Sequence, residues 1–577
     1  MNPFAAIRDG LRQFAVATRV RSEPGAPAAL AAPARPAAQV PSPHTGPIPR
    51  RRLVILASLC ALLFTLRLDA PFLYDDGEAR YATAVREMVQ TGEWLGPRFQ
   101  GRPVRKPPLV FWLMAGARAA LGEGEAAARL PSAVAGVAAV LGTAALGARL
   151  FGATAGTLAG VVLATMFQFI WVARKGQLDM PLTACVVVAQ AFLFRALGEG
   201  RARWWVGGYA FVALGAMAKG LPGVVLPLGT VGLYALLVGR GREIWRRQAM
   251  LPAAGAAAAA VVYYAALGHG FMTPFLYEDH VRRFVAGVDV TEPLWWYGPV
   301  LIQGVLPYAG WLPFAAAALF SEPGRGLHRA ATFPACWFGL WFILISASAG
   351  KQAQYIVPLL PPLAMLVAAG MLRVAGRRPG WWARAGIAAG PATVAVGSAI
   401  FLGYLARKGL LTAWPASAFA VLALVGIAGV WGAFRWPADR AIHGAVACGV
   451  LTSLAVITAA VPALEAGRVA APLAAAQAIR EVVGQARVVA YGEPYTPTPR
   501  VTFYLKTPLP LRRLETPDEL DAFLRSDRTS YLLLPRPVWE TWERARPLRR
   551  PVAAEVSTGR ADYVLLAPPG PAGTQGR

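Results

Sequence analysis

The stretch Pro107-Pro108-Leu109-Val110-Phe111-Trp112-Leu113-Met114-Ala115-Gly116-Ala117-Arg118-Ala119-Ala120-Leu121 decides the topology of the chain. It reads as one apolar helix entered through two prolines. If it crossed a bilayer, every later loop would change sides. Arg240, Arg242, Arg246 and Arg247 would then face outward, together with Arg373, Arg377, Arg378 and Arg384. If it lies flat at the interface, both clusters join Arg201/Arg203, Arg325/Arg329 and Arg435/Arg440 on the cytoplasmic side. Cytoplasmic loops carry the excess of Lys and Arg, so the flat placement is expected.

On either side of this stretch, long apolar runs recur from Leu53 to Pro462. The 577 residues are 56% hydrophobic and only 15% charged, with a mean hydropathy of +0.44. That composition excludes a string of soluble domains and predicts a mainly α, polytopic membrane protein. Spans are expected at about 53–70, 131–148, 154–173, 180–197, 205–218, 222–239, 249–267, 297–320, 331–348, 355–375, 384–404, 413–434 and 441–462, or about 13 transmembrane helices. The balance of 57 Lys+Arg against 31 Asp+Glu gives a net charge of +26. Many of these arginines sit in short loops where they set topology, so no nucleic acid partner is expected. Cys60, Cys185, Cys336 and Cys448 all lie in apolar segments and read as small hydrophobes, not as a disulfide or metal framework.

Residues 1–52 are rich in Ala, Pro and Arg and read as a disordered cytoplasmic tail without a signal peptide. The basic triplet Arg50-Arg51-Arg52 sends the first span outward. The transmembrane domain then covers 53–462, with a first outer loop over about 71–130. After Pro462, Ala486–Tyr491, Val501–Leu505, Tyr531–Leu534 and Tyr563–Leu566 read as strands, with a helix at Pro517–Arg525. Residues 463–577 are therefore expected to form a small soluble extracytoplasmic α/β or α+β domain.

The outward loops gather an unusual mixture of acids and bases, although positive charge is disfavoured there. A surface that holds a lipid phosphate while activating a hydroxyl would need that mixture. In Tyr74-Asp75-Asp76-Gly77-Glu78-Ala79-Arg80-Tyr81, Asp76 stands at an N-cap with Glu78 in the first turn, and Tyr81, Val85 and Met88 form a lipid-facing stripe. The acids either cap the helix or supply a general base at the membrane surface. Arg105 and Lys106 precede a helix start and either snorkel to headgroups or clamp a phosphate. Asp179 opens a span, and Lys219 sits in a Gly/Pro break that needs protein or water beside it. Glu278 and His280 share a long loop with Arg283, where metal ligation and proton transfer are both open. Lys351 and Tyr355 open a later span as a cation and an interfacial aromatic.

Taken in order, these segments resemble the bacterial ArnT-like branch of the protein mannosyltransferase family, membrane glycosyltransferases of the GT-C fold. The resemblance rests on Arg80-Tyr81-Ala82, Arg86-Glu87-Met88, Thr91-Gly92-Glu93-Trp94, Lys106-Pro107-Pro108-Leu109 and Ala128-Arg129-Leu130-Pro131-Ser132. It continues through Leu178-Asp179-Met180, Lys219-Gly220, His280-x-x-Arg283-Phe284 and Tyr355-Ile356-Val357-Pro358. Such a protein is implied to transfer a sugar, with inversion, from a polyprenyl-phosphate carrier to lipid A, a glycan or a protein at the outer face of the bacterial inner membrane. The acidic loop is implied to supply the catalytic Asp76, with Asp75 as its rival because Gly77 separates Asp76 from Glu78. Lys106, Arg283 and Tyr355 are implied to approach the carrier phosphate, with Asp179 in support. Relatives place a Glu where this chain has Arg105, and associate it and the loop histidine with a metal. A divalent metal, zinc or another, thus stays open at His280 and Glu278, and no other cofactor is required. A transporter or flippase of lipid-linked sugars is the alternative; it would need half-repeats and broken midplane helices that the sequence does not display.

Overall fold

The computed structural model describes residues 46–569 apart from 71–72, 74–75, 268–273, 288–290, 320–325, 377–378, 469, 493–495, 507–510, 546–549 and 560. The tail expected over 1–52 lies outside the described residues as far as residue 45, and the chain is helical from Arg50. It enters a bundle through α1 (Arg50–Thr65) and forms an outer loop of α2 (Asp76–Thr91), a ribbon of β1 (Arg98–Phe99) and β2 (Arg102–Pro103), and α3 (Leu109–Leu121). There follow α4 (Glu125–Phe151), the bent pair α5 (Ala153–Thr165) and α6 (Phe167–Ala173), α7 (Asp179–Glu199), α8 (Ala202–Lys219), α9 (Pro222–Leu237) and α10 (Arg247–Leu267). After a short π-helix at Pro274–Arg282 come the bent pair α11 (Tyr297–Gly304) and α12 (Leu312–Leu319), then α13 (Gly326–Ala347). A 3-10 turn at Ala353–Leu359 runs into α14 (Leu360–Ala375), followed by α15 (Trp381–Arg407), α16 (Ala413–Arg435) and α17 (Ala438–Ala455).

Among the described residues, 8 helices are long and apolar enough to cross a bilayer, or up to 10 when each bent pair counts as one span. The spans expected at 53–70, 205–218 and 222–239 fall on α1, α8 and α9, of 16, 18 and 16 residues, which are not long and apolar enough to count, so about 13 expected spans stand against 8 to 10 among the described residues. Helix α3 has 13 residues, about 20 Å at 1.5 Å per residue, and falls short of a hydrocarbon core of about 30 Å. The segment Ala353–Ala375 is 89% buried and forms the centre of the bundle, whereas Arg247–Ala266 at 6% runs along its outside. The four cysteines are buried and free.

Two glycines shape the break after α8. Gly220 takes a φ of +84°, and a side chain on Gly223 would collide with the backbone of Gly215. The α8–α9 hairpin therefore closes tightly enough to present Lys219 beside the start of α7.

Helix α2 departs from expectation. Tyr81, Val85 and Met88 do not face lipid; they are buried in the protein core, Tyr81 meeting Phe111 of α3 edge-on at 5.5 Å. The reason is tertiary: α3 covers this side of α2, while the C-terminal domain packs near Ala79 and Ala82.

That domain comprises α18 (Ala470–Val483), β3 (Val488–Tyr491), α19 (Pro499–Leu505), β4 (Arg512–Leu514), α20 (Pro517–Ser526), β5 (Tyr531–Pro535), α21 (Arg536–Ala545), β6 (Val552–Ser557) and β7 (Asp562–Leu566). Its sheet runs β4-β3-β5-β7-β6, parallel over the first three strands and antiparallel thereafter. Alternation sends Val488, Leu533 and Leu565 toward Ala475, Ala476 and Ile479 of α18, and Val489, Leu532, Leu534, Val564 and Leu566 toward Leu520 and Phe523 of α20. The result is three layers. Thr516 and Glu519 close a capping box at the start of α20. Val501–Leu505, expected as a strand, is helical: Pro499 starts the turn, and every residue is buried, so apolarity carried no period to separate the two states.

Candidate active site

A cavity of about 430 Å³ lies where the start of α7, the end of α8, the π-helix and the end of α13 meet. Lys106, Asp179, Lys219, Arg283 and Tyr355, all singled out from the sequence, line it. The remaining wall is mostly apolar, with Leu182, Leu221, Val225, Phe284, Trp341, Leu344 and Ile345. Cations at one set of positions and hydrocarbon at the others suit a ligand that is anionic at one end and apolar at the other.

The charges within the cavity are organised. Lys219 forms an ion pair with Asp179, and its ammonium stands 4.5 Å from the centre of the Tyr355 ring. Tyr355 is fixed by its own carbonyl, which accepts from Trp341 Nε1 at 2.8 Å. Asp179 occupies the first turn of α7, where the helix end favours a carboxylate. From α2, Tyr81 comes within electrostatic reach of Arg80, Lys219 and Asp179, and burial pushes its phenol up. Lys219 is thus committed first to Asp179, and Lys106 and Arg283 are the other two cations in the cavity lining.

Other candidates stand elsewhere. Arg105 pairs with Glu278 at 2.8 Å, tying the start of α3 to the π-helix; this hydrogen bond and charge hold the Glu278 carboxyl below its usual range. Lys351 is buried and donates to the Ser348 carbonyl. Glu78 is fully buried: Oε1 accepts from Arg129 Nε at 2.8 Å and from the Gly176 amide at 2.8 Å, and Oε2 accepts from Arg129 Nη2 at 3.2 Å. Its oxygens hold α2 against α4 and the segment before α7, which is a structural duty and not one at the cavity. Asp75 and the His280 side chain lie outside the described residues. Glu278 therefore faces a guanidinium, and among the described residues no group of three or more His, Cys, Asp or Glu gathers to hold a metal.

Asp76 begins α2 and is absent from the cavity wall. Its Oδ1 accepts from Nε of Arg500 at 3.3 Å, so the C-terminal domain reaches the acidic loop. Further links join the same two parts. Arg86 is buried between Glu123, at 2.5 Å from its Nε, and the Phe503 carbonyl, at 2.6 Å from Nη2. Although burial acts in the opposite direction, Arg86 and Arg118 hold the Glu123 carboxyl below its usual range. Tyr504 accepts from the Leu73 amide and donates to Glu125, and Gln100 bonds both Thr502 and the Leu511 amide. Outer loop and C-terminal domain therefore lie on the same side of the bundle. None of these C-terminal residues carries a signal in sequence, since each acts across roughly four hundred positions; a buried Arg such as Arg500 in an apolar run was the one available hint.

Residues 105–267 match the family described as dolichyl-phosphate-mannose-protein mannosyltransferase. An undecaprenyl phosphate-α-4-amino-4-deoxy-L-arabinose arabinosyl transferase of Proteus mirabilis is 30% identical over 316 residues, 53% of this chain and 57% of the relative. A second, from Pseudomonas fluorescens, is 30% identical over 339 residues, 57% of each chain. The chain thus spans a little over half the length of these relatives. In fold, the crystal structure of ArnT from Cupriavidus metallidurans bound to undecaprenyl phosphate superimposes with a TM-score of 0.72 at 21% identity, covering 91% of this chain and 99% of that one. With the helix order, the long first loop and the C-terminal sheet already described, these likenesses show a membrane protein with the GT-C fold of ArnT that is similar in sequence to the arabinosyl transferases over a little more than half its length.

Proposed function

We propose that this chain is a glycosyltransferase of the bacterial inner membrane that takes a sugar from a polyprenyl-phosphate carrier on the periplasmic side and passes it to lipid A, a glycan or a protein. The observation that carries the reading is the cavity itself, which joins Lys106 and Arg283 to a long apolar wall. The carrier phosphate would sit at the cations and the first isoprene units along Leu221, Val225, Phe284 and Leu344. The names of the two relatives make undecaprenyl phosphate-4-amino-4-deoxy-L-arabinose the first donor to test, with lipid A as acceptor.

In the transfer, the acceptor oxygen attacks the anomeric carbon while the bond from that carbon to the phosphate oxygen breaks. The electron pair leaves with the polyprenyl phosphate, where Lys106 and Arg283 meet the charge as it develops. Asp76 takes the acceptor proton. It stands five residues before Tyr81 on α2, a backbone rise of about 7.5 Å, and the Tyr81 phenol is within electrostatic reach of Lys219 and Asp179. Asp179 orders that end of the cavity through Lys219. No metal is assigned a step; of the pair left open for a metal, the Glu278 carboxylate is engaged by Arg105.

Asp76→Asn should lower transfer by about 10²–10⁴-fold with little change in undecaprenyl phosphate binding. A flippase would keep its function in that variant, and full transfer by it would remove Asp76 as the base.

A further inference from the structure

We propose that Arg500 of the C-terminal domain is a positioning residue of the transfer site, fixing the Asp76 carboxylate for its proton. The inference rests on the reading of Asp76 as the base. Arg500 opens α19 and has only 10% of its side chain exposed, whereas Asp76 keeps 38%. Among the described residues Asp76 is the sole hydrogen-bond or ion-pair partner of the Arg500 side chain, at 3.3 Å. A cation withdrawn from water is held in place only where something answers its charge, and here that is the carboxylate. The asymmetry has a direction: the guanidinium is enclosed and the carboxylate is open. Oδ1 is engaged by Arg500, and Oδ2 has no hydrogen bond among the described residues. One oxygen is anchored and the other is left to meet an acceptor hydroxyl.

The same acid is within electrostatic reach of a second group of this domain. Tyr563 of β7 lies within electrostatic reach of Asp76; burial and that carboxylate both push its phenol up, against a hydrogen bond at Thr498. The anchor is itself rigid. Helix α19, which carries Arg500, is buried along its whole length, and its Phe503 carbonyl and Tyr504 hydroxyl hold Arg86 and the Leu73 amide of the outer loop. Arg500 is therefore delivered from a surface already locked to α2, which keeps the reorganisation at the carboxylate small. In this arrangement the domain far along the chain completes a site begun by the first outer loop.

The test uses the full-length protein in detergent, with undecaprenyl phosphate-4-amino-4-deoxy-L-arabinose and lipid A as probes. Arg500→Gln should reduce kcat by about 10–100-fold, as expected when a positioned general base loses its alignment. Its donor KM and melting temperature should stay near wild type, because the exposed Asp76 is resolvated. Arg500→Lys, which retains a cation, should recover most of the loss. Arg500→Gln/Asp76→Asn should be no slower than Asp76→Asn alone, since both act through one carboxylate. If Asp76→Asn is inactive while Arg500→Gln turns over like wild type, the positioning role is overturned and the base survives. If Arg500→Gln loses kcat only together with melting temperature, Arg500 is a structural tie and the inference also falls. If Asp76→Asn itself keeps wild-type kcat, the base assignment fails, and the positioning role with it.

Discussion

Removing the Glu78 carboxylate separates a structural acid from a catalytic one. Glu78 and Arg129 have 0% and 1% of their side chains exposed, and the pair is bidentate, with the Gly176 amide as a third donor. Glu78→Ala would strand the Arg129 guanidinium in the interior and cut the tie between α2, α4 and the segment leading to Asp179. Breaking a buried pair by deleting one partner costs about 3–5 kcal/mol, against a total stability of about 5–15 kcal/mol. At about 1.4 kcal/mol per tenfold, the unfolded population should rise from about 10²-fold to about 4 × 10³-fold. Thermal melting of the detergent-solubilised protein should show a large fall for Glu78→Ala and a similar one for Arg129→Ala. Replacing the pair with Leu and Met of similar volume should recover much of the loss, since a well-packed apolar pair avoids the desolvation of both ions. A Glu78→Ala protein that melts like wild type yet has lost turnover would refute this reasoning and return Glu78 to the chemistry.

Lys106→Ala should weaken undecaprenyl phosphate binding by about 1.5–3 kcal/mol, the worth of a hydrogen bond to a charged group, while lipid A binding changes little; equal affinity in titration calorimetry would take Lys106 out of the site. The Arg105–Glu278 pair is half exposed at both ends, so amide exchange over 276–287 should quicken in 1 M salt, where the screening length falls to about 3 Å, and the charge-swapped Arg105→Glu/Glu278→Arg protein should restore slow exchange at low salt. Because the folded Glu278 carboxyl is depressed, this tether is fully present above the ordinary carboxylate pKa of about 4.3 and is lost as pH falls through the lower folded value; faster exchange on going from pH 8 to 6 would contradict it. Activity should persist after dialysis against a chelator, and its loss with recovery on adding zinc would place a metal at Glu278 and His280.

The sequence by itself determined the membrane class and most of the helical segments. Each depends on local apolarity, span length and loop charge, all read without knowing what touches what. It also named Lys106, Asp179, Lys219, Arg283 and Tyr355, because a charge beside apolar helix ends has few inexpensive explanations. Only the tertiary structure decided how they are used. Lys219 could serve a phosphate or a carboxylate until the Gly215–Gly223 contact set it against Asp179. Glu78 and Asp76 stand two residues apart, yet one is sealed against Arg129 and the other stays open beside Arg500. The stripe of Tyr81, Val85 and Met88 looks the same whether it meets lipid or protein, since both are apolar; the covering α3 settled the matter. Val501–Leu505 became a helix for a related reason, its burial being complete and therefore without period. Composition and periodicity report how much a segment avoids water, whereas the partner that replaces the water is set by contacts between residues hundreds of positions apart.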